Sequence, residues 1–147
     1  MMKAILVATD ASAASNRAVD LAADLANKYD ASLNILHVIR DMQLPPELRN
    51  MAEVEKIQGA RTDVLRFVAN KILNDARERA KKQGAKKILT TTGEGDPATA
   101  VLDHAKEKGV DLIVLGTRGL GQVKGMLLGS VSRKVANLSG INCLIIK

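Results

Sequence analysis

The run Asp111-Leu112-Ile113-Val114-Leu115-Gly116 passes directly into Thr117-Arg118-Gly119-Leu120-Gly121-Gln122-Val123-Lys124-Gly125-Met126-Leu127-Leu128-Gly129-Ser130. Residues 111–115 read as a β-strand, and residues 130–137 read as a helix opened by a Gly-Ser pair. Between them lies a glycine-rich connection. In an open α/β sheet this is where ligands bind, outside the carboxyl ends of the strands. Gly116 and Gly119 let a backbone approach a ligand without Cβ contacts. Gly129 and Ser130 stand at a helix N-terminus, where unpaired N–H groups and the helix dipole attract anions. Arg118 and Lys124 add positive charge, so every part suits a polyphosphate. The spacing is neither a Walker A loop nor the Rossmann fingerprint, because the glycines follow the fourth strand and Gly125 lacks the Lys-Ser/Thr sequel.

Working outward, the same alternation fills the chain. Residues 3–9 form a near-continuous apolar run, as expected for a strand covered on both faces. Asp10 and Ser12 are N-cap types before a helix reaching Tyr29, whose inner face is largely alanine: Ala14, Ala18, Ala22 and Ala26 with Leu21 and Leu25. Residues 32–39 are a second strand. Residues 40–62, interrupted by Pro45-Pro46, read as a long loop with a short helix. Residues 63–83 read as a helix closed by Gly84, and 87–92 as a third strand. After a turn over 93–96, Asp96 and Pro97 start a helix that Gly109 ends. Residues 141–146 supply a fifth strand. Five strands alternating with four main helices predict an α/β fold, a single open parallel sheet with helices on both faces and right-handed crossovers, expected to make one nucleotide-binding domain over residues 1–147.

Composition narrows the function classes. Apolar residues are 46% and charged residues 26% of 147, a soluble globular balance. No apolar run approaches the roughly 20 residues of a membrane span, and the N-terminal apolar stretch is too short for a signal peptide, so a cytoplasmic location is expected. Cys143 is the sole cysteine, which leaves no internal disulfide. The net charge of +6 raises a nucleic-acid role. With one Phe, one Tyr and no Trp there are few platforms for base stacking, and the basic residues are dispersed over 61–87. An acidic small molecule suits the same field. His37 reads as a packing residue at a strand end, His104 as an exposed mid-helix residue, and no Cys/His cluster suggests zinc.

The spacing Gly116-x2-Gly119-x9-Gly129-Ser130 resembles the ATP-binding signature of the universal stress protein family. Further fragments fall in the family's order: Val7-Ala8-Thr9-Asp10, Leu36-His37-Val38 and Gly95-Asp96-Pro97. The resemblance implies strand order 3-2-1-4-5, with a crevice between strands one and four beside Asp10 and Gly116. It implies that Asp10 contacts a ribose, that the backbone at Val38 meets adenine, and that Gly116, Gly119, Gly129 and Ser130 hold phosphates, with Ala8, Thr9, Thr117, Arg118, Val131 and Ser132 completing the contacts. The implied ligand is ATP, with AMP or ADP as alternatives, carrying Mg2+ or Mn2+ through its phosphates. A homodimer through the C-terminal strand is implied too, although Cys143 stands where the family commonly has a proline. No nucleophile paired with a base is evident, so the expected role is a nucleotide-dependent sensor or regulator with at most weak ATPase activity. The rival class is a dimeric interaction module that binds no nucleotide.

Overall fold

The computed structural model describes residues 1–40, 52–117 and 128–147, with the side chains of 52–54 excepted. Its elements are β1 (Ala4–Ala8), α1 (Ala13–Tyr29), β2 (Ser32–Ile39), α2 (Ala52–Lys82), β3 (Lys87–Glu94), α3 (Pro97–Lys108), β4 (Leu112–Gly116), α4 (Ser130–Leu138) and β5 (Asn142–Ile146). The strands form one parallel sheet of order β3-β2-β1-β4-β5.

Period-two alternation sends neighbouring strand residues to opposite faces. Ile5, Val7, Leu33, Ile35, Leu112 and Val114 meet α1 and α2, whereas Leu6, Leu36, Ile113 and Leu115 meet α3 and α4. Both sides of β1 and β4 are therefore dry, which explains their unbroken apolar sequences. Each fully buried Leu, Ile or Val contributes roughly 1.5–3 kcal/mol. Helix α1 buries Ala14, Ala18, Ala22, Ala23 and Ala26. Methyl side chains bring its axis close to the sheet, and that closeness shapes the site below.

Local chemistry sets the element ends. The Ser12 hydroxyl caps α1 by accepting from Ser15 N at 3.2 Å, and Asp96 caps α3 by accepting from Thr99 N at 2.9 Å. Gly109, at φ 59°, closes α3 in the left-handed conformation that glycine adopts at little cost. Asp111 Oδ2 accepts from Lys3 N at 2.7 Å and Ala4 N at 3.0 Å, which ties the entry of β4 to the start of β1.

Three expectations are corrected. Helix α2 starts at Ala52 rather than near Asp63, so residues 52–62 are helical. Residues 55–57, 59 and 60 are exposed, so they never bury an apolar stripe and leave no period in the sequence. The break expected at Pro45-Pro46 lies outside the described residues. His104 is buried rather than exposed, at 8% accessibility, because it sits three residues after buried Val101 and beside buried Ala105 on the inner side of α3. Strand β3 also runs two residues further than expected, to Glu94, pairing Val38 with Gly93 and Ile39 with Glu94.

Candidate functional site: the crevice between β1 and β4

The neighbours β1 and β4 feed helices on opposite faces, α1 on one and α4 on the other. Their carboxyl ends therefore lie at the topological switch point of the sheet, the position at which open α/β folds hold ligands.

One wall is the turn after β1, which is braced by short polar side chains. Asp10 Oδ1 accepts from Ser12 N at 2.9 Å, closing an Asx turn, and lies 3.0 Å from Ser15 Oγ. Ser15 Oγ is also 3.0 Å from the Ser12 carbonyl and 3.1 Å from Thr9 Oγ1, so its single proton serves one acceptor at a time. Thr9 Oγ1 accepts from Ala11 N at 3.2 Å. The turn holds Ala11 at φ 67°, a left-handed conformation unfavourable for a residue with a Cβ. Ser12 therefore caps the helix, while Asp10 buttresses the turn that delivers it.

Behind this wall, His37 Nδ1 lies 2.8 Å from the Thr9 carbonyl. A carbonyl only accepts, so Nδ1 carries the proton and, in the neutral ring, Nε2 is left as an acceptor. This fits the expected packing role at the end of β2. Val38 is half-buried, with its side chain against the α3/α4 cluster.

The other wall is the frame of the glycine-rich segment. Thr117 N donates to Ile146 O at 2.7 Å, and Thr117 O accepts from Gly129 N at 2.6 Å and from Ser132 Oγ at 2.9 Å. The two described ends of the segment are thus bonded to each other, and the first turn of α4 is fixed to the end of β4. Gly129 is the N-cap of α4, at φ −68° and ψ 169°, and among the described residues no side chain caps the helix there. Helix geometry leaves the N–H groups of Ser130, Val131 and Ser132 without acceptors inside the helix. Ser130 is exposed and Ser132 is 2% accessible.

The structure brings Ala8, Thr9, Asp10, Gly116 and Thr117 to one end of the sheet, with Gly129, Ser130, Val131 and Ser132 alongside. Arg118 and Gly119 lie outside the described residues. Two roles were not visible in spacing. A Cβ built on Gly116 would stand 3.0 Å from the Ala14 carbonyl carbon, the Ala14 Cβ and Ser15 N, so this glycine admits the start of α1. The Ser132 hydroxyl is spent on the Thr117 carbonyl. Among the described residues no group of three or more His, Cys, Asp or Glu side chains is placed to hold a metal, and no described helix is long and apolar enough to cross a membrane.

The geometry matches that of known proteins. The universal stress protein YxiE of Bacillus subtilis is 41% identical over 150 residues, spanning 100% of both chains. A crystal structure of a universal stress protein in complex with cAMP superposes with a TM-score of 0.73 at 32% identity, covering 99% of this chain and 97% of the other. Universal stress protein UspA from Lactobacillus plantarum reaches a TM-score of 0.87 at 24% identity, over 99% and 98% of the two chains, a likeness of fold. Residues 1–147 match the universal stress protein family in full, and the chain belongs to that family.

Proposed function

We propose that this protein binds an adenine nucleotide, ATP first among them, in the crevice between β1 and β4, and acts as a nucleotide-dependent sensor or regulator in the stress response. The observation that carries the reading is the mouth of α4. Gly129 presents no side chain, and the N–H groups that follow point out of the helix beside the end of β4, as a phosphate chain requires. A similar protein at 32% identity is known in complex with cAMP, which supports an adenine ring and ribose in this crevice.

In this reading Gly116, Thr117, Arg118, Gly119, Gly129, Ser130 and Val131 surround the phosphates. Asp10, beside Ala8 and Thr9, accepts from the ribose hydroxyls, and the backbone at Val38 meets the adenine. Ser132 supports the cradle through Thr117. A divalent ion, Mg2+ or Mn2+, is held through the phosphates. Two copies pair through the edge strand β5, whose Cys143, Leu144, Ile145 and Ile146 are only partly buried.

Thermal unfolding with ATP and Mg2+ tests the reading. At about 100 times the dissociation constant the native state gains roughly 2.7 kcal/mol. Gly129→Val removes that gain and leaves the fold intact, since a branched side chain fills phosphate space. A flat titration to millimolar ATP, or normal binding by the variant, defeats the assignment. Running AMP and cAMP beside ATP ranks the nucleotides, and light scattering of the eluting peak reads the dimer.

A second reading has specific support. The packing of Gly116 against α1 and the use of the Ser132 hydroxyl inside the fold are what an interaction module without nucleotide also needs. The ATP titration separates the two, and Ser132→Ala then tests what the hydroxyl does. A stability loss of about 1 kcal/mol with ATP affinity kept fits a strut, whereas loss of ATP affinity at unchanged stability fits a phosphate ligand.

A further inference from the structure

The crevice is not the only concavity at this end of the molecule. A cleft of about 430 Å3 opens between α2 and the ends of β2 and β3, within the size range of small-molecule sites. Its apolar part is the half-buried pair Ile39 and Leu65, and its polar part is Arg40, Arg61, Arg66 and Glu94. The base is fixed, because Gly95 N donates to Ile39 O at 2.9 Å where β3 ends. Among the described residues the lining carries the guanidinium groups of Arg40, Arg61 and Arg66 and one carboxylate, Glu94.

The carboxylate occupies a telling position. Arg66 and Glu94 approach to 3.6 Å with side chains 65% and 67% exposed. The same two residues line a smaller pocket of about 170 Å3 with Asn70 and Thr92, so the ion pair borders both spaces. A pair this long and this exposed is weak in water. Glu94 therefore holds Arg66 only until a better anion arrives.

We infer that this cleft is a second, anion-selective binding site, whose ligand is a phosphate monoester with a compact apolar body. The forks of Arg40 and Arg66 match phosphate oxygens, Ile39 and Leu65 receive the body, and Glu94 is the internal competitor that the phosphate displaces. Side-chain alternation separates this site from the crevice: Val38 turns toward α3 and α4, and Ile39 toward α2. The inference stands independently of the nucleotide reading.

The test is a titration of the full-length, 15N-labelled protein with phenyl phosphate at low salt, followed by amide chemical shifts. Saturable shifts are expected at Thr62, Leu65 and Gly95. Arg66→Gln weakens binding about tenfold. Glu94→Gln tightens it about three- to fivefold, a direction that a purely structural role for the ion pair does not give. Gly129→Val leaves these shifts unchanged even if it abolishes ATP binding. Shifts confined to residues 130–132, shifts that never saturate, or an unaltered affinity in Glu94→Gln overturn the proposal.

Discussion

Gly116→Ala is the substitution that most directly measures how the site is built. The added methyl would lie 3.0 Å from three atoms of α1, two of them backbone. Carbon atoms rest at about 3.5–4.0 Å, so the contacts are roughly half an ångström short, and backbone does not swing aside as the tip of a flexible chain does. Relief requires the first turn of α1 to lift from the end of β4, which strains the Ser12 cap and the bonds joining Thr9, Asp10 and Ser15. Overpacking of this kind costs about 2 kcal/mol, within a general range of roughly 1–3. With an m-value of about 2 kcal/mol/M in urea, the midpoint falls by about 1 M at unchanged slope. At about 2–4 °C per kcal/mol, Tm falls by about 4–8 °C. Gly93→Ala is the matched control on β3. There the nearest atoms to the new methyl are at 3.4–3.6 Å, all in side chains, so its effect lies between neutral and a gain of about 0.5 kcal/mol from the stiffer unfolded chain. If the two variants unfold at the same urea concentration, the close approach of α1 to β4 is not what fixes Gly116, and the packing argument fails.

Three further outcomes are expected. Gly59 lies exposed in the overhanging part of α2 with nothing within 4 Å of a built Cβ, so Gly59→Ala raises stability by up to about 1 kcal/mol in urea unfolding; a loss instead means that residues 52–62 are not helical. Thr99 N and Thr99 Oγ1, followed by Lys134, hold Asp96 down to a pKa of about 2. Its contribution is therefore complete above the ordinary value of 3.8 and is lost as pH falls through 2, so Asp96→Ala costs about 1 kcal/mol at pH 7 and clearly less at pH 2, as denaturant midpoints at the two pH values will report. His104 Nε2 is buried with no hydrogen-bond partner among the described residues, and burial lowers the pKa of the ring. The unfolded chain therefore takes up a proton first as pH falls through 6.5, which destabilises the native state until its own lowered pKa is passed; His104→Leu removes that slope and gains about 1 kcal/mol at pH 8, and an unchanged pH profile counts against it.

What was legible in the sequence followed from which residues the fold makes periodic. β1 and β4 are covered on both faces, so 4–8 and 112–115 are written almost without polar residues. Ser12, Asp96 with Pro97, and Gly109 mark helix ends by chemistry that works locally. The N-terminal third of α2 buries too little to impose a period, and its charged, exposed residues resemble a loop. His104 was missed for the opposite reason: its i+3 offset from Val101 places it on the inner face, but the charged residues Asp103, Lys106 and Glu107 around it disguised that position. The candidate site divides along the same line. The glycine spacing pointed to the carboxyl end of β4, yet it could not tell that Gly116 is required by a helix from far earlier in the chain, because contacts distant in sequence leave no trace in spacing.

That ambiguity has a physical origin. A position without a side chain can be demanded by a ligand or by a neighbouring backbone, and the two described glycines at this end of the sheet, Gly116 and Gly129, differ in what surrounds them. Gly116 faces the wall that is already occupied, by Ala14 and Ser15; Gly129 opens α4, where no described side chain caps the helix. The first can be explained by packing alone. For the second, glycine supplies no side-chain cap of its own, and helix geometry leaves first-turn N–H groups to which an anion can bind. The nucleotide reading therefore rests on Gly129 and the two residues after it more than on the glycine signature as a whole. A variant at Gly116 that loses ATP shows only that the walls have shifted, while one at Gly129 that folds normally and loses ATP identifies the phosphate cradle itself.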